Sequence, residues 1–400
     1  MSEKSMKPII FLGNPVPQDH IDTTDRHNNY SVADNIAQNR LLDGLAKHFG
    51  KDGLQVITTL PSGKRCEVLL ESGITAKAVR NINPNKPVYY ISLIFTYTKE
   101  LLKVLSLKKH GDPNGGTIII TSGPYIYVAL PVFIAKLFYK LVWVPFLVGS
   151  VEVPEAPFPL ILISRLSRWT MKKVDATITY VAQSSIDYSP GKPYVEVFYS
   201  INDDVLSIYR NYQPQKNSKF TICYTGALSA IYNLDVVLDV IKKTGDKYRW
   251  YIVGDGAFAP DFKALAYDPH YDVQFSGNVS NADAAKLQMD ADLLLCLKGG
   301  KEADYSKYYQ KYTASGKLSE YLASGTPCLA GDIPAFSEKI KRFMTCEKLQ
   351  SADKILEDIE DIIDHYSDKK DLAQKGRKFA FETFHSEYQS KHVAEFLRLL

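Results

Sequence analysis

The chain repeats one local pattern, in which a short apolar run ends at a glycine and a loop then leads into a helix. The pattern first occurs at residues 8–13, which precede a predicted helix at 31–49 and a predicted strand at 54–59. It starts again at residues 220–226, before a predicted helix at 234–243. Such alternation is the signature of βαβ units, whose parallel sheets are covered by helices. The sequence therefore predicts an α/β fold with two Rossmann-like domains that face a cleft.

The length of 400 residues is sufficient for two domains that each have their own core. A polar stretch at 209–218 is the predicted linker between them. We accordingly predict an N-terminal domain at 1–208 and a C-terminal domain at 209–378. The charged tail is predicted to be helical, and we expect residues 379–400 to pack back on the first domain.

The composition argues against several classes of protein. A net charge of +3 gives no indication of nucleic-acid binding. The five cysteines are odd in number and form no C-x-x-C pair, so the sequence indicates neither a disulfide framework nor a zinc site. The N-terminus lacks a signal-peptide profile, and we expect a reducing, cytoplasmic compartment.

An apolar stretch at 127–148 has the length of a membrane span. It contains Lys136 and Lys140 as well as two prolines, so we interpret it as a buried helix and strand rather than a transmembrane helix. Upstream of it, we predict a strand at 88–95 and a helix at 98–109.

Residues 315–325 are predicted to form a helix with both ends marked. Thr313 or Ser315 is expected to cap its start, and Gly325 is expected to end it. The helix opens with Ser-Gly-Lys, where unpaired backbone N–H groups, the helix dipole and the charge of Lys317 together favour an anion. An ordinary surface helix is the alternative interpretation.

Glycines also follow the predicted strands of the second half, at Gly226 and again at Gly254 and Gly256. Doubly wound domains bind ligands at the carboxyl ends of their strands. We therefore expect these glycines to lie at the same edge of the sheet as the Ser-Gly-Lys helix.

The second half resembles the GT-B glycosyltransferases, in particular the large retaining group with an E-x7-E motif. The resemblance rests on five segments in order: YTGAL at 224–228, IVGDG at 252–256, VQFSGN at 273–278, ADLLL at 291–295 and KLSEYLASGTP at 317–327. It implies that the C-terminal domain holds a nucleotide-diphosphate sugar and that Glu320 binds its ribose hydroxyls. The donor-binding residues expected on this basis are Gly13, Thr225, Gly226, Gly254, Gly256, Ser315, Gly316, Lys317, Leu318 and Glu320.

Three positions depart from the pattern of that group. Tyr312 stands where the first Glu of the motif is expected, Ala227 follows the glycine, and Tyr232-Asn233 replace a common Lys-Gly pair. Lys317 and the helix N-terminus then supply most of the positive charge, so Lys317 is the expected catalytic group that stabilises the leaving diphosphate. An Asp-x-Asp string at 290–292 joins a helix to a buried strand, and we interpret it as structural. We expect no cofactor and no metal dependence.

Polar residues in the first half are weaker candidates. Glu152 follows a predicted strand and is the candidate catalytic carboxylate. Asp19 and His20, in the loop after Gly13, are candidates for acceptor binding or for a general base, with a solvated loop as the alternative.

Two predicted helices of the first half, at 98–109 and at 160–173, are amphipathic, with their basic residues at 99–109 and at 165–173. Such faces contact anionic lipid in some proteins and are simply solvated in others. Both interpretations stay open for this chain.

The sequence as a whole predicts a cytoplasmic glycosyltransferase, at the inner face of the cell membrane if the basic helices bind lipid. It would move a sugar, from a UDP-sugar by preference, to a glycan or lipid-linked glycan acceptor in surface polysaccharide synthesis, with retention of configuration. The alternatives are a nucleotide-sugar epimerase on the same fold and a non-enzymatic two-lobed binding protein.

Overall fold

The structure, a computed structural model, describes residues 7–17, 32–60, 62–80, 88–108, 116–149, 160–215, 217–299, 310–348 and 351–400. The chain forms two compact units. The first comprises Met1–Val197 together with Ser386–Leu400, and the second is Phe198–His385.

The first unit is built on a sheet with the strand order β3-β4-β2-β1-β5-β6-β7-β8. All neighbouring strands in it are parallel except the antiparallel pair β3 and β4. The strands are β1 (Ile9–Leu12), β2 (Leu54–Thr59), β3 (Cys66–Leu69), β4 (Thr75–Val79), β5 (Thr117–Ser122), β6 (Leu141–Leu147), β7 (Thr177–Thr179) and β8 (Tyr194–Glu196). Strand β3 was not predicted, since only one of its four residues is buried and no apolar pattern marks it.

Helices connect these strands. They are α1 (Val32–Phe49), α2 (Tyr89–Lys108), α3 (Ile126–Lys136), α4 (Leu160–Met171) and α5 (Ala182–Tyr188). The strand predicted at 88–95 is wrong, because these residues form the first half of α2. The apolar residues of α2 have a helical spacing that a continuous apolar run does not reveal. The buried side chains recur every four residues, at Tyr89, Leu93, Tyr97, Leu101 and Leu105.

The second unit contains a parallel sheet with the order β11-β10-β9-β12-β13-β14. Its strands are β9 (Thr221–Thr225), β10 (Arg249–Val253), β11 (Asp272–Gly277), β12 (Leu293–Cys296), β13 (Cys328–Gly331) and β14 (Thr345–Glu347). Its helices are α6 (Asp203–Asn211), α7 (Leu234–Thr244), α8 (Ala259–Tyr267), α9 (Asn281–Asp290), α10 (Lys317–Ser324), α11 (Glu338–Lys341), α12 (Ala352–Asp364) and α13 (Tyr366–Thr383).

The stretch that the sequence marks as a linker is anchored to the second unit. Helix α6 packs on α9, and Tyr209 Oη donates a hydrogen bond of 2.5 Å to Gln288 Oε1. Beyond the helix, the backbone N–H of Gln215 donates to Asp290 Oδ1 at 2.6 Å. The structure thus divides before Phe198, upstream of the 208/209 boundary expected from the sequence.

The last helix, α14 (Ser386–Leu399), belongs to the first unit and packs on α1. Ser390 lies against Gly44, where an added Cβ would be 2.3 Å from the Ser390 Cβ, and His48 Nε2 is 3.2 Å from Ser390 Oγ. Among the described helices, none is both long enough and apolar enough to cross a membrane.

Candidate functional site

Glycine loops at the carboxyl edge of the second sheet pack directly on each other. The loop after β9 rests on the loop after β10, with hydrogen bonds from Gly226 N to Val253 O (2.9 Å) and from Leu228 N to Asp255 O (2.8 Å). A Cβ on Gly254 would lie 1.9 Å from Gly226 O, and Gly254 has a φ of +135°. Only glycine allows this approach, so the two loops form a fixed edge beside α10.

Helix α10 begins at this edge with uncapped backbone donors. The expected cap by Thr313 or Ser315 is wrong: Gly316 occupies the N-cap position and no side chain caps the helix. The N–H groups of residues 314–317 donate to no acceptor within the part of the chain that the structure describes. A row of unpaired N–H groups at the positive end of a helix dipole is a binding site for an anion.

The ammonium group of Lys317 lies between two tyrosine rings. Its Nζ atom donates a 2.9 Å hydrogen bond to Tyr224 Oη and lies 4.1 Å from the Tyr224 ring centroid and 3.8 Å from that of Tyr232. A Cβ on Gly226 would lie 2.8 Å from the same Nζ atom. The ring faces attract the cation, and they hold it against the Gly226 loop.

Burial lowers the pKa of Lys317 to about 8, while the nearby Glu320 carboxylate acts in the opposite direction. Lys317 is half-buried, and a partly desolvated cation gains free energy when an anion arrives beside it, because the anion replaces lost hydration. The arrangement therefore favours the binding of a negatively charged group at the start of α10.

The other expected residues of α10 have separate roles. Leu318 is buried in the core, and its N–H donates to Ser315 O. Gly316 has an ordinary helical φ of −61°, and a Cβ there would make normal contact with the Tyr199 ring at 3.6 Å. Glu320 is half-buried one turn beyond Lys317, and its charge helps to raise the pKa of Tyr209.

Two expected residues make contacts that belong to the fold. The Thr225 N–H donates to Tyr321 Oη at 3.0 Å, and its hydroxyl accepts from Gln288 Nε2 at 3.0 Å. Ser315 Oγ lies 4.0 Å from Cys296 Sγ, in a buried position.

The candidates of the first half fall elsewhere. Gly13 lies in the first unit, where its carbonyl accepts a 2.7 Å hydrogen bond from Tyr97 Oη, and a Cβ there would lie 2.6 Å from Gln38 Oε1. Glu152, Asp19 and His20 lie outside the described residues, and their roles stay predictions.

The two carboxylates of the Asp-x-Asp string accept hydrogen bonds from backbone and side-chain groups of neighbouring segments. Asp290 accepts from Tyr212 Oη at 3.1 Å in addition to the Gln215 N–H, and Asp292 Oδ2 accepts from Thr221 N at 2.9 Å. Both carboxylates join β12 and α9 to adjacent chain segments.

Sequence reasoning missed three residues of this site. Tyr224 and Tyr232 hold the Lys317 ammonium, and Lys298, the second residue after β12, is buried below the start of α10. The only sequence signal was the departure at 232–233, where the resembled group has Lys-Gly. Asn233 indeed has a left-handed φ of +51°, a conformation that glycine adopts readily.

Part of the chain matches a known protein family. Residues 208–379 match the family described as "Glycosyl transferases group 1". No curated protein sequence matches the chain.

Solved structures share the fold over almost the whole chain. Anabaena Alr3699/HepE in complex with UDP is 14% identical with a TM-score of 0.63, over 99% of this chain and 100% of that chain. Sucrose-phosphate synthase from Thermosynechococcus elongatus is 14% identical with a TM-score of 0.64, over 98% and 99%. An α,α-trehalose 6-phosphate synthase from Burkholderia multivorans is 9% identical with a TM-score of 0.66, over 98% and 97%. The prediction of a GT-B fold with two Rossmann-like domains is confirmed.

Proposed function

We propose that this chain, a glycosyltransferase with the GT-B fold, transfers a sugar from a nucleotide-diphosphate donor, a UDP-sugar by preference. The observation that carries the proposal is the row of unpaired N–H groups at 314–317 beside the Lys317 ammonium. The complex of Alr3699/HepE with UDP supports the choice of nucleotide, because that protein has the same fold.

The geometry suggests how the chain accelerates the transfer. When the anomeric C–O bond breaks, negative charge develops on the leaving diphosphate. The N–H groups at the start of α10 and the ammonium of Lys317 stabilise that charge without needing to reorganise. Glu320, one turn further on, would accept hydrogen bonds from the ribose hydroxyls. We further propose that the reaction is metal-independent and proceeds with retention of configuration.

Titration calorimetry with UDP and with GDP tests the donor class. We expect UDP to bind the wild-type protein and GDP to bind more weakly. The absence of binding by either nucleotide at millimolar concentration would remove the proposal.

Two variants test the assignment within α10. Lys317→Ala should weaken the binding of UDP by roughly 10- to 100-fold, because a charge-assisted hydrogen bond is lost. It should leave the affinity for uridine unchanged. Glu320→Ala should weaken the binding of both ligands. Lys286→Ala, which removes an exposed lysine paired with Asp283 in the same unit, is the control. Equal and small effects of the two α10 variants would mean that the helix is only structural.

The acceptor is proposed to be a glycan or a lipid-linked glycan of surface polysaccharide synthesis. Its support is a set of exposed apolar side chains on the first unit, in or directly after helices α2, α3 and α4, which pack side by side. We define this set, the helical face, by Ile91, Phe95, Leu137, Phe138 and Trp169, of which the first four are more than 65% exposed. Large apolar patches on a soluble domain mark interaction sites.

Exposed basic side chains lie in or directly after two of the same helices. They are Lys99 and Lys103 on α2, Arg165 and Arg168 on α4, and Lys172 and Lys173 after α4. Apolar groups together with cations complement an anionic membrane, into which Trp169 and Phe138 would insert. We propose that the enzyme meets its acceptor there, on the cytoplasmic side, where its five free thiols would stay reduced.

Vesicle flotation tests this contact. We expect the protein to float with phosphatidylcholine vesicles that contain phosphatidylglycerol, and to be released by salt. Phe138→Glu and Trp169→Glu should reduce flotation, while Tyr267→Glu, at an exposed site of the second unit, should not. Failure of the wild type to float at low salt would remove the membrane contact but not the donor assignment.

A further inference from the structure

Lys298 is a lysine in the interior of the second unit. Its side chain is only 1% exposed. Its Nζ atom donates hydrogen bonds to the carbonyl oxygens of Thr313 and Ala314, the second at 3.5 Å. Burying an ammonium group is expensive unless it is well hydrogen-bonded, so this placement is unusual for a lysine.

The two carbonyls belong to the peptide units that lead into the anion site. In a planar trans peptide the C=O and the N–H point in opposite directions. Because the carbonyls of Thr313 and Ala314 point toward Lys298, the N–H groups of Ala314 and Ser315 point away from it. These are the first two donors in the row that has no acceptor within the described ranges.

The backbone around Lys298 is attached to the segment that carries Tyr232. Asn233 Nδ2 donates to Leu297 O at 2.9 Å, and Gly299 N donates to Ile231 O at 3.0 Å. The segment 297–299 therefore connects the N–H row with the segment that carries Tyr232, the tyrosine beside Lys317.

We propose that Lys298 is a positioning residue of the diphosphate site, which orients the N–H donors at 314 and 315 and adds a positive charge behind them. The role rests on the proposed function, since it concerns the same donor. Lys317 would contact the diphosphate, whereas Lys298 acts through the peptide units of Thr313 and Ala314.

The charges around Lys298 make this role dependent on pH. Burial lowers its pKa to about 7, the nearby Lys317 acts in the same direction, and Cys296 opposes them. The pKa of the Cys296 thiol is itself raised by burial, so this thiol is neutral near pH 7. A bound diphosphate would raise the pKa of Lys298 and draw a proton onto it. We therefore expect UDP binding at pH 7.5 to take up protons, and UDP affinity to fall as the pH rises from 6.5 to 7.5.

Three variants test the proposal by calorimetry in buffers of different ionisation enthalpy, which reports the protons taken up. Lys298→Met keeps the length of the side chain but removes the charge, and we expect it to bind UDP about tenfold more weakly while binding uridine as before. Lys298→Arg keeps the charge at every pH used, so it should retain most of the affinity for UDP. It should lose the larger part of the proton uptake and keep the smaller part that is due to Lys317, whose pKa is about 8. Lys286→Met, at the exposed site paired with Asp283, should behave as the wild type.

The outcomes separate this role from the proposed function. If the wild type binds UDP and Lys298→Met binds it equally tightly, the positioning role is wrong and the donor assignment stands. If Lys298→Met does not fold, Lys298→Arg decides: proton uptake equal to that of the wild type overturns the role. A wild type that binds neither UDP nor GDP removes the proposed function and this role with it.

Discussion

The carboxyl edges of the two sheets have the same architecture but different chemistry. In the first unit, the edge after β1 and β5 is lined by tyrosines: the ring centroids of Tyr125 and Tyr127 are 5.6 Å apart and nearly parallel, and Tyr90 lies 6.0 Å from Tyr127. In the second unit, the edge after β9 and β12 carries Lys298 and Lys317. Both edges are formed by a strand, a glycine loop and the start of a helix.

The difference shows that the fold places a possible binding site at the carboxyl edge of each sheet. The residues in the first turns of the adjacent helices determine which ligand binds there. Tyrosines present apolar faces with polar tips, which suit an uncharged ring with hydroxyl groups. Lysines and free N–H groups suit an anion. This division fits the proposed function, in which the second unit binds a diphosphate and the first binds the glycan part of the acceptor.

Unsatisfied polar atoms mark the first edge as well. Asn14 Oδ1 and Ser122 Oγ are buried and have no hydrogen-bond partner among the residues that the structure covers. Such atoms are rare in folded proteins, because an unpaired buried polar group destabilises the fold. The second edge thus presents N–H donors that a ligand would satisfy, whereas the unpaired oxygens of the first edge are closed off from solvent.

Among the variants that test this comparison, Gly254→Ala should have the largest effect on stability and on UDP binding. It disrupts the second edge alone. The new Cβ would lie 1.9 Å from Gly226 O, at a φ of +135° that alanine does not tolerate. We expect the free energy of unfolding to fall by about 3 kcal/mol or more in a urea titration, with loss of UDP binding.

Gly316→Ala is the matched control for that variant. It lies at the same edge, but its φ is −61° and its Cβ would make ordinary contact with Tyr199. Its unfolding free energy should change by less than about 1 kcal/mol. If Gly254→Ala is equally stable, the close packing of the two glycine loops is not required for the edge.

The second effect is a fall in UDP affinity at alkaline pH. The pKa of Lys317 is about 8, so its charge is lost as the pH rises from 7 to 9. Because the anion binds the protonated form, affinity should fall by up to about tenfold over this range.

The neighbouring thiols of Cys296 and Cys328 have raised pKa values and remain largely neutral. Lys317→Arg keeps its charge and should flatten the profile above pH 8, where Lys298, with a pKa of about 7, is already mostly neutral. An equally steep profile in that variant would assign the titration to another group.

Much of the second edge could be predicted from the sequence because it is encoded locally. The apolar run at 220–225, Gly226 and the helix signals at 315–325 each lie within a few residues, and they correspond to β9, its loop and α10. The tyrosine partner of Lys317 could not be predicted in this way. Tyr224 and Lys317 are 93 residues apart, and their contact depends on the order of strands in the sheet.

The first edge was less predictable for a similar reason. Tyr90 lies at the start of α2. The sequence predicts a strand for this stretch, because it is rich in β-branched and aromatic residues. Tyr127, the stacking partner of Tyr90, belongs to α3, which is distant in sequence. Without the helix at Tyr89–Lys108, no pattern in the sequence brings these rings together.

The third effect is that of the aromatic contact on Lys317. Tyr232→Leu keeps the apolar bulk but removes the ring whose centroid lies 3.8 Å from Nζ. A cation–π contact is worth about 0.5–2 kcal/mol, so we expect UDP to bind roughly 2- to 30-fold more weakly. Uridine serves as the reference ligand, and its affinity should not change. If the binding of UDP and the binding of uridine weaken equally, Tyr232 contacts the nucleoside rather than holding the Lys317 ammonium.

The smallest effect on UDP should come from the first edge. Tyr125→Leu removes a ring that is 39% exposed and that stacks on Tyr127. If the two edges bind separate ligands, UDP affinity should stay within about twofold of the wild type, a difference of roughly 0.4 kcal/mol. The rate of sugar transfer to an acceptor glycan should fall because the KM for the acceptor rises. The sugar ring of the acceptor would lose the tyrosine ring on which it stacks. Tyr194→Leu, at an exposed tyrosine of the same unit, is the control. A large loss of UDP affinity in Tyr125→Leu would show that the tyrosine edge also serves the donor, and the division of chemistry between the two edges would then be wrong.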